Sequence, residues 1–303
     1  MNPWIRRGAF FVAGLVVLAG AGALLVPALY ERKSHRVVDV PLSTVVAYRT
    51  DAAAVERGRY LFNTRGCAEC HGPDGRGVKF INDPAGFVVK APNISPGPGG
   101  VVAAYRPEDW ERTLRHGVKP DGRPVFIMPS EDYNRLTDAD LAALVAYTRQ
   151  LAPVAGEPLQ SQVPLIVKAL YAVGQIRDAA ENIDHRLPPS QPVPEAVSVE
   201  HGAYVANACL GCHGQHLSGG KIPGTPPDWP PAANLTPGEG SAMTARYASA
   251  EAFAAMLRSG QRPDGTKISD VMPFNMLTQM SDTDVAALHL YLKSVPARPA
   301  GER

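Results

Sequence analysis

Cysteine is scarce in this 303-residue chain, four in all. They fall in two tight clusters, so none is left for a disulfide framework, a separate structural zinc or a nucleophile elsewhere. An excess of one charge is lacking too: 30 Lys+Arg face 29 Asp+Glu, and without a basic stripe nucleic acid is excluded as a partner. The balance holds locally, with 13 basic and 13 acidic residues over 51–153, and 8 and 9 over 196–303. The Gly-x-Gly-x-x-Gly fingerprint of a dinucleotide cradle is absent. Glycine and proline are plentiful, at 28 and 29 residues. Without collagen periodicity, that richness reads as long loops wrapped around a core that small domains cannot build from side chains alone.

The two cysteine clusters carry the chemistry. Cys67-Ala68-Glu69-Cys70-His71 and Cys209-Leu210-Gly211-Cys212-His213 are both Cys-x-x-Cys-His, the signature of covalent c-type haem attachment. Each thiol adds to one porphyrin vinyl group, and the adjacent His71 or His213 supplies the proximal iron ligand. A redox-active dithiol or half a zinc site is the competing reading. A dithiol of the thioredoxin type wants a βαβ setting, and zinc half-sites rarely carry a following His in both copies. Two covalently bound haem c groups are expected.

The halves of the chain repeat each other. Glu56-x-Gly58-x-Tyr60 precedes the first motif, and Glu200-x-Gly202-x-Tyr204 the second. Downstream, Pro92-Asn93-Ile94-Ser95-Pro96 matches Ala233-Asn234-Leu235-Thr236-Pro237, and Leu114-Arg115-His116-Gly117 matches Leu257-Arg258-Ser259-Gly260. Met128-Pro129 then matches Met272-Pro273. This register selects Met128 and Met272 as distal iron ligands, each on a loop that the following Pro keeps out of helix. Met128 is the lone methionine of the first repeat; Met243, Met256, Met276 and Met280 of the second have no counterpart there. Met256 is expected in the core and Met276 at the rim. The spare histidines His116, His201 and His289 align with Ser259, Arg57 and Val145, which speaks for packing or surface roles rather than ligation.

Gly8 to Tyr30 is a 23-residue stretch without a charge. As a helix it would be about 34 Å long, enough to cross a bilayer core. An uncleaved signal anchor is expected; a cleaved leader, with sites after Ala21 or Ala23, is the alternative. Pro27 should bend or end the helix. Lys/Arg counts on the two flanks do not set the orientation. The haem motifs do, because bacterial c-type attachment is completed outside the cytoplasmic membrane.

The expected architecture is all-α: residues 1–36 as a transmembrane anchor, 37–153 as a first haem domain, 154–195 as a linker, and 196–303 as a second haem domain. Helices are expected over about 52–65 and 196–208, from Pro107 and from Ser249, and after Thr137 and Ser281. The last two are capping-box starts with Asp140 and Asp284 at the third position. An amphipathic stretch over 163–181 reads as a brace between domains or as a docking or membrane-surface face. Pro188 to Pro194 reads as a stiff linker whose length sets the effective concentration of one haem at the other.

This pattern resembles the class I c-type cytochrome superfamily. Within it, Asn-Ile/Leu-Ser/Thr-Pro, Leu-Arg-x-Gly-x-x-Pro-Asp-Gly and Met-Pro, in that order in both halves, are similar to the cytochrome subunits of periplasmic alcohol, aldehyde and sugar-acid dehydrogenases. The resemblance covers about residues 52–152 and 198–296. It implies that Arg115 and Arg258 hold haem propionates and that Asn93 and Asn234 order the haem-edge loop. Trp110 and Phe253 are expected to wall the ring. Those subunits commonly have three haem domains, whereas this chain has two and an expected anchor. The implied partners are the membrane and a redox protein, whether dehydrogenase, oxidase or another cytochrome.

The expected function is electron transfer without substrate chemistry, from a dehydrogenase or other respiratory donor toward a terminal acceptor, at the periplasmic face of the inner membrane. His/Met ligation fills both axial positions and raises the potential relative to bis-His. The rival is a diheme enzyme such as a peroxidase, which needs one distal position open. A subunit fixed in a larger complex is a third reading with the same chemistry.

Overall fold

The computed structural model describes residues 3–43, 45–84, 86–156, 161–223, 225, 228–238 and 240–303; within the first helix the side chains of 5, 8, 9, 12, 15–19, 21 and 23 fall outside the description. Among the described residues the first helix, α1, runs Pro3–Ser34. The first repeat contributes α2 (Ala52–Thr64), α3 (Cys67–His71), α4 (Pro107–His116) and α5 (Asp138–Arg149). Between α3 and α4 lies a hairpin of β1 (Lys79–Asn82) and β2 (Val88–Lys90), so the fold is mostly helical rather than purely so. Next come α6 (Leu165–Ala172) and α7 (Ala179–Asn182). The second repeat supplies α8 (Val199–Ala206), α9 (Leu210–His213), α10 (Ala242–Ala245), α11 (Ala250–Ser259), α12 (Phe274–Leu277) and α13 (Asp282–Ser294).

Each repeat is built on one helix pair, α2 against α5 and α8 against α13. The crossing point is a glycine in both. A Cβ on Gly58 would overlap the Ala143 carbonyl oxygen, and one on Gly202 the Ala287 carbonyl oxygen. The glycines of the Glu-x-Gly-x-Tyr repeat therefore let two backbones touch. Around the first pair, Leu61, Phe62, Leu141 and Val145 are sealed with Trp110. Around the second, Val205, Leu257, Leu288 and Leu292 close with Met243 and Phe253.

Thr137 and Ser281 are the expected N-caps of α5 and α13, their hydroxyls accepting from the Asp140 and Asp284 N–H groups (3.0 and 3.1 Å). Neither aspartate turns back to the cap residue's N–H. In each case a tyrosine hydroxyl from the other repeat occupies that place (below).

The linker readings need correction. Helix α6 does not brace the two haem domains; it packs against the end of α1. Tyr171 sits at the centre of that joint. Its ring meets Tyr30 and Phe126 edge-on at 5.6 and 5.0 Å, and its hydroxyl donates to Asp178 (2.6 Å). Arg36 grips the same carboxylate with two bonds (2.6 and 3.0 Å). Helix α1 continues past Pro27 to Ser34: proline deletes one backbone bond, and Lys33, donating to the Tyr171 carbonyl (2.8 Å), fastens the last turn. Among the described residues no helix is long and apolar enough to cross a membrane; many side chains of the 8–30 run, and those of Ala21 and Ala23, lie outside the description.

From α1 the chain crosses the first domain as a strap. The Val38 N–H donates to the Gly122 carbonyl (2.9 Å), and Ser43 donates twice to buried Glu111 (3.1 Å each). Residues 183–198 form neither helix nor strand, as read from the prolines, but they do not hold the domains apart. The two domains are in direct contact.

Candidate functional site

One helical turn sets each attachment motif. Gly66, at φ +82°, starts α3 and Gly72, at φ +75°, ends it; Gly214, at φ +81°, ends α9. The i, i+3 spacing brings Cys67 and Cys70 to one face, with His71 adjoining. The His71 Nδ1 lies 2.9 Å from the Pro92 carbonyl oxygen and the His213 Nδ1 2.8 Å from that of Ala233. A carbonyl can only accept, so Nδ1 carries the proton and Nε2 keeps its lone pair free for a metal. Burial lowers the pKa of both imidazoles against the opposing pull of those carbonyls, which keeps them neutral and able to ligate.

The thiols are not poised as a reactive dithiol. Burial pushes Cys67 and Cys209 up to about 12 and Cys70 up to about 11, whereas redox-active pairs have a depressed thiol pKa.

The Asn loops lie directly beside the His-accepting carbonyls. Asn93 accepts from the Ser95 N–H (2.8 Å) and donates to the Val154 carbonyl (2.9 Å). Asn234 accepts from the Thr236 N–H (2.9 Å) and donates to the Arg298 carbonyl (2.8 Å). Each amide ties its loop to the segment after the domain's last helix, and so fixes the residue before it, Pro92 or Ala233, against the histidine.

In the second domain Cys209, His213 and Met272 line one cleft, partly open to solvent and walled by Leu235, Tyr247, Phe253 and Leu288. Met256 borders it from α11, and Arg246 and Arg262 border it from the segments before and after that helix. In the first domain Cys67 and Met128 border the buried cluster that contains Trp110. Trp110 is 4% exposed, yet its indole N–H has no partner in the protein. An apolar cleft carrying a thiol, an imidazole and a thioether, and in the other domain a buried donor awaiting an acceptor, fit a haem with its acidic edge groups.

Both arginines hold partners within their own domain. Arg115 donates to the Leu136 carbonyl (2.9 Å) and to Asp138 (2.7 Å); Arg258 donates to the Thr278 carbonyl (2.8 Å) and to Asp282 (2.7 Å). Each fastens the start of its domain's last helix, and Arg258 is not among the residues lining the second cleft. The spare histidines are packed rather than clustered. His201 donates to Asp284 (2.6 Å), His289 contacts the Tyr247 carbonyl (2.9 Å), and His116 meets His185 (3.0 Å). His201 does for Asp284 what its aligned residue Arg57 does for Asp140, which Arg57 holds with two 2.8 Å bonds.

Three contacts escaped the sequence reading. Arg303 donates to the carbonyls of Cys212 (2.8 Å) and Gly211 (3.2 Å), clasping the second motif. Asp132, in the Met128 loop, accepts from the Gly211 N–H (2.9 Å). Met276 is 7% exposed, and its sulfur faces Gly66, so it belongs to the junction between domains and not to a rim. The repeat contained a signal for the last two, since Asp132 and Met276 each stand four residues after the Met-Pro methionine.

Two tandem modules, each pairing a Cys-x-x-Cys-His turn with an apolar cleft or core and a Met loop, define a diheme protein of the c type. The cytochrome c family model matches residues 55–152 and again 199–296, and the chain belongs to that family. It is 28% identical over 291 residues to the cytochrome c subunit of a quinone-dependent alcohol dehydrogenase from Gluconobacter oxydans, covering 84% of this chain and 58% of that protein. With the cytochrome subunit of fructose dehydrogenase from Gluconobacter japonicus it shares 34% identity over 134 residues, 42% of this chain and 27% of the relative. A diheme c-type cytochrome of Cereibacter sphaeroides is 28% identical over 277 residues, 80% of this chain and 86% of the relative. The chain thus spans well under two thirds of the two dehydrogenase subunits. It carries two covalently bound haem c groups.

Proposed function

We propose that the chain is a membrane-anchored electron carrier that takes electrons from a dehydrogenase or other respiratory donor and passes them toward a terminal acceptor on the periplasmic side. Cys67 and Cys70 hold one haem and Cys209 and Cys212 the other; His71 with Met128, and His213 with Met272, are the axial pairs. When bound, haem supplies a one-electron iron couple. The protein's part is positional. His71 and His213 are oriented by their carbonyl partners, and Asn93 and Asn234 hold those carbonyls. Leu235, Phe253, Leu257 and Leu288 give the Met272 cleft an apolar lining. The observation that carries this reading is the repeat itself: a methionine stands in register in both halves, which closes both distal positions and leaves no open iron for substrate.

The anchor rests on the uncharged 8–30 run lying within one helix. Phe10, Phe11, Leu24 and Leu25 on that helix are 59–80% exposed, an apolar surface suited to lipid. Arg115 and Arg258 in this reading brace the last helices; a propionate contact is retained for Arg115 Nε and the Trp110 indole N–H, which have no hydrogen-bond partner in the protein. The donor is a separate protein, because alcohol or sugar oxidation needs a two-electron site of its own. The test is reduction of the purified holoprotein. Small one-electron reductants should reduce it at once, alcohols and sugars only when a dehydrogenase is added. Rapid peroxide consumption by the unaltered protein would overturn the carrier reading in favour of a peroxidase.

A further inference from the structure

The Glu-x-Gly-x-Tyr repeat ends in Tyr60 on α2 and Tyr204 on α8, and each tyrosine crosses to the other domain. The Tyr60 hydroxyl donates to Asp284 (2.6 Å) and accepts from the Ser281 N–H (3.0 Å). The Tyr204 hydroxyl donates to Asp140 (2.6 Å) and accepts from the Thr137 N–H (3.3 Å). In an ordinary capping box the third helical residue's side chain takes the N-cap N–H directly. Here a tyrosine oxygen from the opposite domain sits between the two, in both copies. Asp284 is 1% exposed and Asp140 8%, so these bonds are shielded from water and end on carboxylates, the stronger kind of hydrogen bond.

The reciprocal bonds lie beside a second exchange. Asp132 of the first Met loop binds the backbone of Gly211, between the two cysteines of the second motif. Met276, at the equivalent place in the second Met loop, lies with its sulfur 3.5 Å from where a Cβ on Gly66 would stand, one residue before Cys67. Each domain's Met loop therefore covers the other domain's attachment segment. Haems bound at these cysteines would be attached by their vinyl-bearing edges, and the two attachment segments lie on either side of this junction.

We infer that Tyr60 and Tyr204 are positioning residues for electron exchange between the haems: each holds the other domain's last helix and so keeps the two attachment segments face to face. The inference rests on the haem attachment sites proposed above. One electron leaves ferrous iron in one domain and reduces ferric iron in the other; no bond forms or breaks and no proton or co-reactant is needed. The geometry of that transfer is set by an interface and not by linker length. Each hydrogen bond removed from a buried carboxylate shifts the docked-to-separated ratio by about tenfold or more.

Pulsed dipolar EPR on the oxidised full-length holoprotein tests this without any substitution. A single narrow iron–iron distance is expected; a broad distribution, as from domains moving on a tether, would overturn it. The optical spectrum of the same sample reports the ligand sets alone, so a broad distribution with normal low-spin spectra refutes the lock without touching the haem assignment. In the Tyr60→Phe/Tyr204→Phe double variant the ring packing is kept and only the hydroxyls go. The distance distribution should broaden as the docked-to-separated ratio falls by about tenfold or more, and inter-haem exchange after flash reduction should slow, with both haem spectra unchanged. A double variant with wild-type distances and wild-type exchange contradicts the inference.

Discussion

Replacing Gly202 with alanine probes the closest approach in the second domain. The added methyl would overlap the Ala287 carbonyl oxygen and would also press on the Tyr291 Cβ. The main obstacle is backbone, which cannot turn aside as a side-chain tip can, so α8 and α13 must separate. Overpacking of this kind costs about 3 kcal/mol, the upper part of its usual range. Alanine is the better helix former by about 1 kcal/mol, which offsets part of that cost. A net loss of about 2 kcal/mol should lower the melting temperature of a domain of this size by roughly 10 °C. Far-ultraviolet circular dichroism and Soret absorbance followed through a melt would measure it. Gly58→Ala should behave alike, since its Cβ meets the Ala143 carbonyl and Tyr147 in the same manner. A melting temperature that is unchanged or rises, as helix propensity alone would give, refutes the crossing argument.

Met272→Ala should open the second haem to carbon monoxide while the first stays unreactive; an unchanged six-coordinate spectrum would move the ligand to Met256, which lines the same cleft, or to Met276. Acid should loosen the domain junction. Burial pushes the Asp140 carboxyl up, but Arg57 and the Tyr204 hydroxyl outweigh it and hold the folded pKa below the usual carboxylate range. The stabilisation is therefore full above the unfolded pKa of about 4 and is lost as pH falls through the lower folded value. Urea midpoints from about pH 6 to about pH 3 should fall less steeply in Arg57→Gln. His116 works in the same direction at higher pH: burial, with His185 and the nearby Arg115 and Arg112, lowers it to about 4. The unfolded chain then takes up the extra proton between about pH 6.5 and that value, and His116→Asn should flatten the stability curve there. Full-length protein should stay in membranes through a high-salt wash, because insertion is not screened as charge pairing is; release of the intact chain by salt alone would contradict the anchor.

Much of this was legible in the sequence because the chain repeats. The helix starts at Pro107, Thr137, Ser249 and Ser281 announced themselves by capping chemistry, and the Asn loops by their position in the register. What escaped was contact between the copies. Asp140 and Asp284 carry the local signature of a capping box, and no local rule reveals that a tyrosine some 64 residues away in one case, and 224 in the other, takes over that bond. Tyr60 and Tyr204 were visible as repeat positions, but a repeat shows that a residue recurs, not which domain it faces. Arg115 and Arg258 show another kind of contact: the resemblance implies propionate partners for them, and Asp138 and Asp282, 23 and 24 residues downstream, claim part of each guanidinium. The 163–181 stretch is amphipathic in sequence, but the partner of α6, the end of α1, could be found only in three dimensions.

The central claim is that both irons are closed by methionine. The near-infrared sulfur-to-iron band of the oxidised holoprotein reads this directly, measured against the haem content of the same sample. The account predicts that band at the intensity of two His/Met haems, with no high-spin signal. A band worth one haem, or high-spin iron in the resting protein, would mean that one distal position is open and would contradict it.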